Sequence, residues 1–229
     1  MSHSPAHSSR DDLENVWTIV VAGGSGLRFG SRKQFVEIEG RTVLQRSVDA
    51  ATSRCSGVVV VVPADAVDST PIEAGTRELR VVAGGASRAE SVRAGLCVVP
   101  ADATIVLVHD AARPLASTEL FGRVIEAVAR GARAVVPAIP VTDTIRHRDG
   151  GVVDRADLLA VQTPQGFDVA TLRNAHAHGD DATDDATLVE ALGQEVVIVE
   201  GEAGNNKLTD PTDLLAAASI IRHLAGKNQ

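Results

Sequence analysis

Apolar residues fall into two rhythms along this chain. Val16–Ala22 (VWTIVVA), Gly57–Val62 (GVVVVV) and Ala103–His109 are nearly unbroken runs rich in β-branched residues. That is how strands read when both faces of a parallel sheet are covered. Leu79–Ala83 and Arg133–Ala138 read as two shorter strands. Between the strands, Thr42–Thr52, Ser87–Val98 and Ser117–Arg130 carry apolar residues at helical spacing. Ser87 with Glu90 three positions on forms a capping box, and Gly131 closes the third helix.

From Val141 the period changes. Val141–Arg148 alternates, Asp149-Gly150-Gly151 is a hairpin-type turn, and Val152–Val161 follows. The stretch has no obvious place in a parallel sheet and predicts a projecting β-arm over about residues 141–161. Helices are predicted over Asp168–His178 and near Asp184–Leu192, with a strand at Glu195–Glu200. The last helix opens at Asp210-Pro211-Thr212-Asp213, a capping Asp followed by Pro at the first helical position. Residues 1–14 read as a loose polar lead-in, and 15–229 as one domain that includes the arm. The alternation predicts a three-layer α/β sandwich around a mostly parallel sheet. Ligands sit at the carboxyl ends of such strands. Three clusters fall there: Gly23–Lys33, Gly84–Ser91 and His109–Pro114.

Composition narrows the chemistry. Hydrophobic residues make up 44% of the 229, which excludes a mostly disordered chain. A net charge of -8 argues against non-specific nucleic-acid binding, and 2% aromatics without a Tyr against a base-stacking platform. The uncharged apolar runs fall short of the ~20 residues of a membrane span, and the first ten residues lack an apolar signal region. We therefore expect a cytoplasmic protein without membrane partners. Cys55 and Cys97 show no metal-ligand or CxxC spacing and read as two buried thiols in a reducing cytosol. Of the 22 basic residues only three are Lys: Lys33, Lys207 and, in the tail, Lys227.

Each strand-end cluster admits a plain and a functional reading. Gly23, Gly24, Gly26 and Gly30 let backbone N–H groups approach phosphates, with Arg28, Arg32 and Lys33 beside them. The plain alternative is a tight turn with solvated charges. The loop is neither a Walker A motif nor a dinucleotide fingerprint. Asp110 ends the fourth strand, where a carboxylate can hold Mg²⁺ that bridges substrate phosphates, with Arg113 as a second anion ligand. Alternatively Asp110 is a local cap ion-paired to Arg113. His109 reads as a structural hydrogen-bonding residue rather than a catalytic base. Gly84–Ser91 suits a nucleobase edge or ribose, through backbone groups and Ser91, and is also simply a capped helix. Thr142-Asp143-Thr144, Asp154-Arg155 and Asn205-Asn206-Lys207 read by default as solvated loops.

Taken together, AGGSGLRFG…KQF, GGASRAESV, VLVHDAARP, PVTDT, VDR…QTPQGF, TDDAT and EGEAGNNKLTDPTDL resemble the 2-C-methyl-D-erythritol 4-phosphate cytidylyltransferase family, in that family's order and over about residues 17–215. The resemblance implies a Rossmann-like nucleotidyltransferase fold, a homodimer joined through β-arms, CTP as donor, a polyol phosphate as acceptor and Mg²⁺ as cofactor. It implies catalytic roles for Arg28, Lys33 and the metal-linked Asp110, and a cytidine site at Ala22, Gly23, Gly85 and Ser91. Thr144, Arg155 and Lys207 match contacts to methylerythritol phosphate, with Arg155 far along the arm. Arg113 and Thr183 match further substrate-side positions. The chain departs from the family at Ala86, often polar or acidic there, and at Arg32, where proline is common.

The implied reaction is attack by the acceptor's phosphate oxygen on the α-phosphorus of CTP. A phosphate monoester is largely dianionic near neutral pH and needs no general base. Two rivals share these motifs. One is a related cytidylyltransferase acting on another polyol phosphate such as ribitol 5-phosphate. The other is a non-catalytic nucleotide-binding subunit, which the joint presence of Arg28, Lys33 and Asp110 disfavours.

Overall fold

The computed structural model describes residues 15–24, 32–178, 182 and 184–227. Among them, eight strands form one sheet: β7 (Ala134–Pro140) carries β10 (Leu159–Val161) and β11 (Gln165–Asp168) end to end on one flank and β12 (Val196–Glu200) on the other, and β6 (Ile105–Asp110), β1 (Val16–Val21), β4 (Gly57–Val62) and β5 (Glu78–Ala83) follow beyond β11 in that order. β5, β4, β1 and β6 run parallel, as do β7 and β12, while β10 and β11 run antiparallel to their neighbours. The fold is thus the predicted mostly parallel α/β sandwich.

The strand runs are continuous because both faces are covered. Val16 and Val20 of β1 join Val58 and Leu107 in a cluster with Leu44 and Val48 of α1 (Val43–Thr52) and Phe121 of α3 (Thr118–Ala129). Trp17 and Ile19 point the other way. There they meet Val59, Val106, Val92 of α2 (Arg88–Val98), Leu172 of α4 (Val169–His178) and Val189 of α5 (Asp185–Ala191). Period-two alternation inside an all-apolar run produces the three layers. Thr42, Ser87, Ser117 and Asp184 each accept the backbone N–H three residues on, capping α1, α2, α3 and α5. Each cap is worth about 1 kcal/mol.

A third, smaller cluster joins Ile38, Val43, Leu208 and Ala217. It packs α6 (Pro211–Lys227) against a small hairpin of β2 (Glu37–Ile38) and β3 (Arg41–Thr42). The hairpin turns through Glu39 and Gly40, both at positive φ, and the sequence reading did not resolve it.

The arm is shorter than expected. Its hairpin is β8 (Ile145–Arg146) paired with β9 (Val152–Val153), turning through Gly150 and Gly151 at positive φ. Leu159–Val161 is not part of it: β10 zips onto β7 through Leu159↔Pro140 to Val161↔Ala138. Alternation in Val152–Val161 cannot say which partner a strand takes, so the two pieces read as one. β11, which slots between β6 and β7, also went unread. Its Gly166 is required there, because a Cβ would come within 2.4 Å of Val124 Cγ1 on α3. Of the two cysteines, Cys55 is buried, but Cys97 is exposed, contrary to expectation, because it lies on the solvent side of α2.

Candidate active site

A cavity of about 530 Å³ opens at the carboxyl ends of β1 and β6, bounded by the turn after β5. Ala22, Gly23, Gly24, Lys33, Gly85, Ser91, Asp110 and Lys207 of the anticipated residues line it, together with Gln34 and Arg88. Gly26, Arg28 and Thr183 lie outside the described residues. Segments far apart in sequence therefore meet where a doubly wound sheet places its ligands.

The glycine-rich loop is tied at both ends. Gln34 is buried, and its Nε2 donates to Ala22 O at 2.9 Å and to Gly24 O at 3.3 Å. The same short helical turn, Lys33–Phe35, carries Lys33, whose Nζ donates to Leu208 O at 2.7 Å. Leu208 is held in turn by the third cluster and by its N–H bond to Ala112 O at 2.8 Å. Arg32 is not among the lining residues. It forms an exposed pair with Asp65 at 2.7 Å.

Asp110 occupies the last position of β6, its side chain 13% exposed. Lys207 Nζ reaches Oδ2 at 2.7 Å and Arg88 Nε reaches Oδ1 at 3.3 Å. Burial alone would raise the carboxyl's pKa, but Arg88 and then Lys207 overcome it and hold the group well below the usual carboxylate range. Asp110 is therefore an anion at any physiological pH. Its partner is not Arg113, as the cap reading had it. Arg113 instead donates to two carbonyls, Asn205 O at 2.7 Å and Val161 O at 3.2 Å, and does not line the cavity. It clamps the segment before α6 onto the end of β10.

His109 is fully buried and hydrogen-bonded at both nitrogens, to Arg113 O at 3.2 Å and Thr163 Oγ1 at 3.0 Å. The carbonyl can only accept, so Nε2 carries the proton and Nδ1 accepts from the threonine hydroxyl. Thr163 Oγ1 also accepts from the Asp110 N–H at 3.0 Å. Burial pushes the imidazole's pKa down to about 4, Asp110 opposing and Arg113 reinforcing the shift. This is a neutral, structural histidine, as expected.

Across the cavity, Ser91 Oγ donates to Ser87 O at 2.9 Å and accepts from the Gly85 N–H at 3.2 Å. Within the protein it shapes the glycine turn. Glu90 Oε2 accepts from Ala86 N at 2.6 Å, and a Cβ on Gly85 would sit 2.3 Å from Glu90 Cβ. Backbone rather than a residue-85 side chain thus faces the cavity there. Asn205 is no solvated loop residue: it is buried, its Nδ2 donating to Thr163 O at 2.9 Å, and it fixes the stretch that presents Lys207.

Thr144 and Arg155 are not brought to this cavity. They line a separate groove with Val152, Val153 and Asp154, where Arg155 donates to Thr142 O. Arg88 was missed as a site residue, although it stood in the GGASRAESV motif. The signal was a cation at the first position of a helix, where the macrodipole disfavours it. Two carboxylates offset that cost: Asp110, and buried Asp185, whose Oδ2 lies 2.7 Å from Arg88 Nη1. Burial would lower the guanidinium's pKa, but Asp185 and then Asp110 raise it above its ordinary value. Among the described residues no helix is long and apolar enough to cross a membrane.

The family model for 2-C-methyl-D-erythritol 4-phosphate cytidylyltransferase matches residues 16–223. The enzyme of that name from Rhodococcus jostii is 46% identical over 216 residues, covering 90% of this chain and 95% of the relative. That from Nocardia farcinica is 44% identical over 221 residues, covering 92% of this chain and 96% of its own. The bifunctional enzyme IspD/IspF of Solidesulfovibrio magneticus is 42% identical over 226 residues, and this chain spans 56% of its length. The crystal structure of the Thermus thermophilus cytidylyltransferase superposes with a TM-score of 0.78 at 39% identity, covering 92% of this chain and all of that one. With motifs, topology and relatives in agreement, the chain belongs to the 2-C-methyl-D-erythritol 4-phosphate cytidylyltransferase family.

Proposed function

We propose that this protein transfers the cytidylyl group of CTP to 2-C-methyl-D-erythritol 4-phosphate, giving CDP-methylerythritol and pyrophosphate for isoprenoid precursor synthesis. The observation that supports it best is the pairing of Lys207 and Arg88 with one ionised carboxylate, Asp110, at the carboxyl end of the sheet, in a cavity that Lys33 also lines. Two polyanions must meet there, so cations and alignment are what the reaction needs.

The new bond joins an acceptor phosphate oxygen to the α-phosphorus, and the bond to the bridging α,β-oxygen breaks, releasing pyrophosphate. The acceptor dianion needs no base. Neutral, buried His109 is accordingly a support of the strand end rather than a proton acceptor. Lys33 neutralises the reacting phosphates. Arg28 joins it from the glycine-rich loop, on the strength of the family motif. Ala22, Gly23, Gly24, Gly26, Gly85 and Ser91 form the nucleotide side, and Lys207 the acceptor side.

The residues fit a magnesium ion that arrives with the nucleotide. Among the described residues no group of three His, Cys, Asp or Glu could cage a metal. Asp110, however, lines the cavity, and each of its oxygens accepts one hydrogen bond with lone pairs to spare. One carboxylate plus water and phosphate oxygens is a usual Mg²⁺ environment. When bound, the ion supplies charge neutralisation of the triphosphate.

Thr144 and Arg155 sit on the arm side in their own groove, and a second subunit would bring them to the acceptor. We therefore read the enzyme as a homodimer with shared sites. Both cysteines are free, in keeping with a reducing cytosol. The test is pyrophosphate release with CTP, ATP, GTP and UTP against methylerythritol 4-phosphate and ribitol 5-phosphate. Release should require Mg²⁺, CTP and the methylerythritol ester. A strong preference for ribitol phosphate would reassign the acceptor, and absence of turnover with any polyol phosphate would defeat the enzymatic reading.

A further inference from the structure

Behind Asp110 the charges continue inward as a ladder. Lys207 and Arg88 bind its two oxygens separately. Arg88 then turns its Nη1 to Asp185 Oδ2 at 2.7 Å. Asp185 Oδ1 lies 2.9 Å from His176 Nε2, and Asp185 and His176 are 1% and 5% exposed. His176 Nδ1 has no hydrogen-bond partner, so the imidazole's contribution to this network is its bond to Asp185. Asp185 is the first residue of α5 and His176 lies in the last turn of α4. Neither side chain lines the cavity.

The geometry divides one guanidinium between two carboxylates. The contact to Asp185 is short, and the contact to Asp110 is long and uses a single nitrogen. An arginine left with one carboxylate commonly takes it bidentately, with two parallel N–H···O bonds. A carboxylate bound that way has fewer lone pairs for a cation and a neutralised charge. We propose that Asp185, oriented by His176, is a positioning residue that draws Arg88 inward and so keeps Asp110 able to accept a divalent cation. This rests on the cytidylyltransferase reading and gives a role to Asp185, which stands in the TDDAT motif without one and does not line the cavity.

Removing the inner carboxylate should hand Arg88 to Asp110. In Asp185→Asn the Mg²⁺ concentration giving half-maximal rate at saturating CTP should rise roughly 10-fold or more, the scale of one gained charge-assisted hydrogen bond in competition. KM for methylerythritol phosphate should change less than twofold. Arg88→Gln removes the competitor, so its half-saturating Mg²⁺ should equal or fall below that of the wild type, whatever its turnover. The double variant should return to that level, which a loss of packing at Asp185 would not produce. Electron paramagnetic resonance of Mn²⁺ with CTP and each protein, without acceptor, reads the same order independently of turnover. An unchanged metal requirement in folded Asp185→Asn, or a raised one in Arg88→Gln, overturns the proposal. If Asp185→Asn does not fold, the Arg88→Gln arm decides alone. A wild type that binds Mn²⁺–CTP but turns over no polyol phosphate would sink the proposed function and leave the ladder standing.

Discussion

Single side chains carry the charge arithmetic of the cavity, and their removal is the first thing to measure. Lys33→Ala should lower kcat by roughly 10²-fold or more, the scale for losing one preorganised group that stabilises transition-state charge. Arg28→Ala should do the same. Lys33→Arg should restore only part, since a planar fork does not replace a compact ammonium that now reaches Leu208 O. Near-normal turnover in Lys33→Ala would remove that lysine from the mechanism. His109 gives a pH prediction for the metal-free protein. Its folded pKa of about 4 lies below the unfolded value near 6.5. The unfolded chain thus binds the extra proton between those values, and stability falls as pH drops through that window. From pH 7 to 5 the wild type should lose about 2 kcal/mol more than His109→Gln in urea unfolding. Equal losses would contradict the assignment. Iodoacetamide at pH 8 should label exposed Cys97 and spare Cys55, whose thiol burial pushes up to about 11. At this scale the sequence announced residue types at strand ends. It could not announce partners 97 positions apart, such as Arg88 with Asp185, nor that Arg113 spends its donors on carbonyls.

Elements were legible where local pattern determines them. The buried strands, the capped helices and the Gly150-Gly151 turn follow from runs, Ser or Asp caps and glycine, all local signals. β10 and β11 were not legible, because their pairing with β6 and β7 is tertiary. QTPQGF carries no local strand signal, and only tertiary pairing places its Gly166 beneath α3. Gly166→Ala should therefore destabilise the fold by about 1–3 kcal/mol through overpacking. Thermal melting would show it, and an unchanged midpoint would mean that α3 yields at Val124.

For the whole molecule, the separation of the Thr144–Arg155 groove from the Lys33–Asp110 cavity supports a site completed by a second copy. Mixing Lys33→Ala with Arg155→Ala subunits should restore activity, because one site in each mixed dimer carries neither defect. Random exchange recovers up to about a quarter of wild-type sites. Parental activity after exchange confirmed by a tagged-subunit pulldown would exclude sharing. The reaction itself is tested most directly by phosphorus NMR of the enzyme with Mg²⁺, CTP and methylerythritol 4-phosphate carrying ¹⁸O in its phosphate. Our account predicts one equivalent of unlabelled pyrophosphate and all of the label in the CDP-alcohol, since the acceptor's oxygen attacks the α-phosphorus. Label in the pyrophosphate, or CTP left unconsumed, would contradict it.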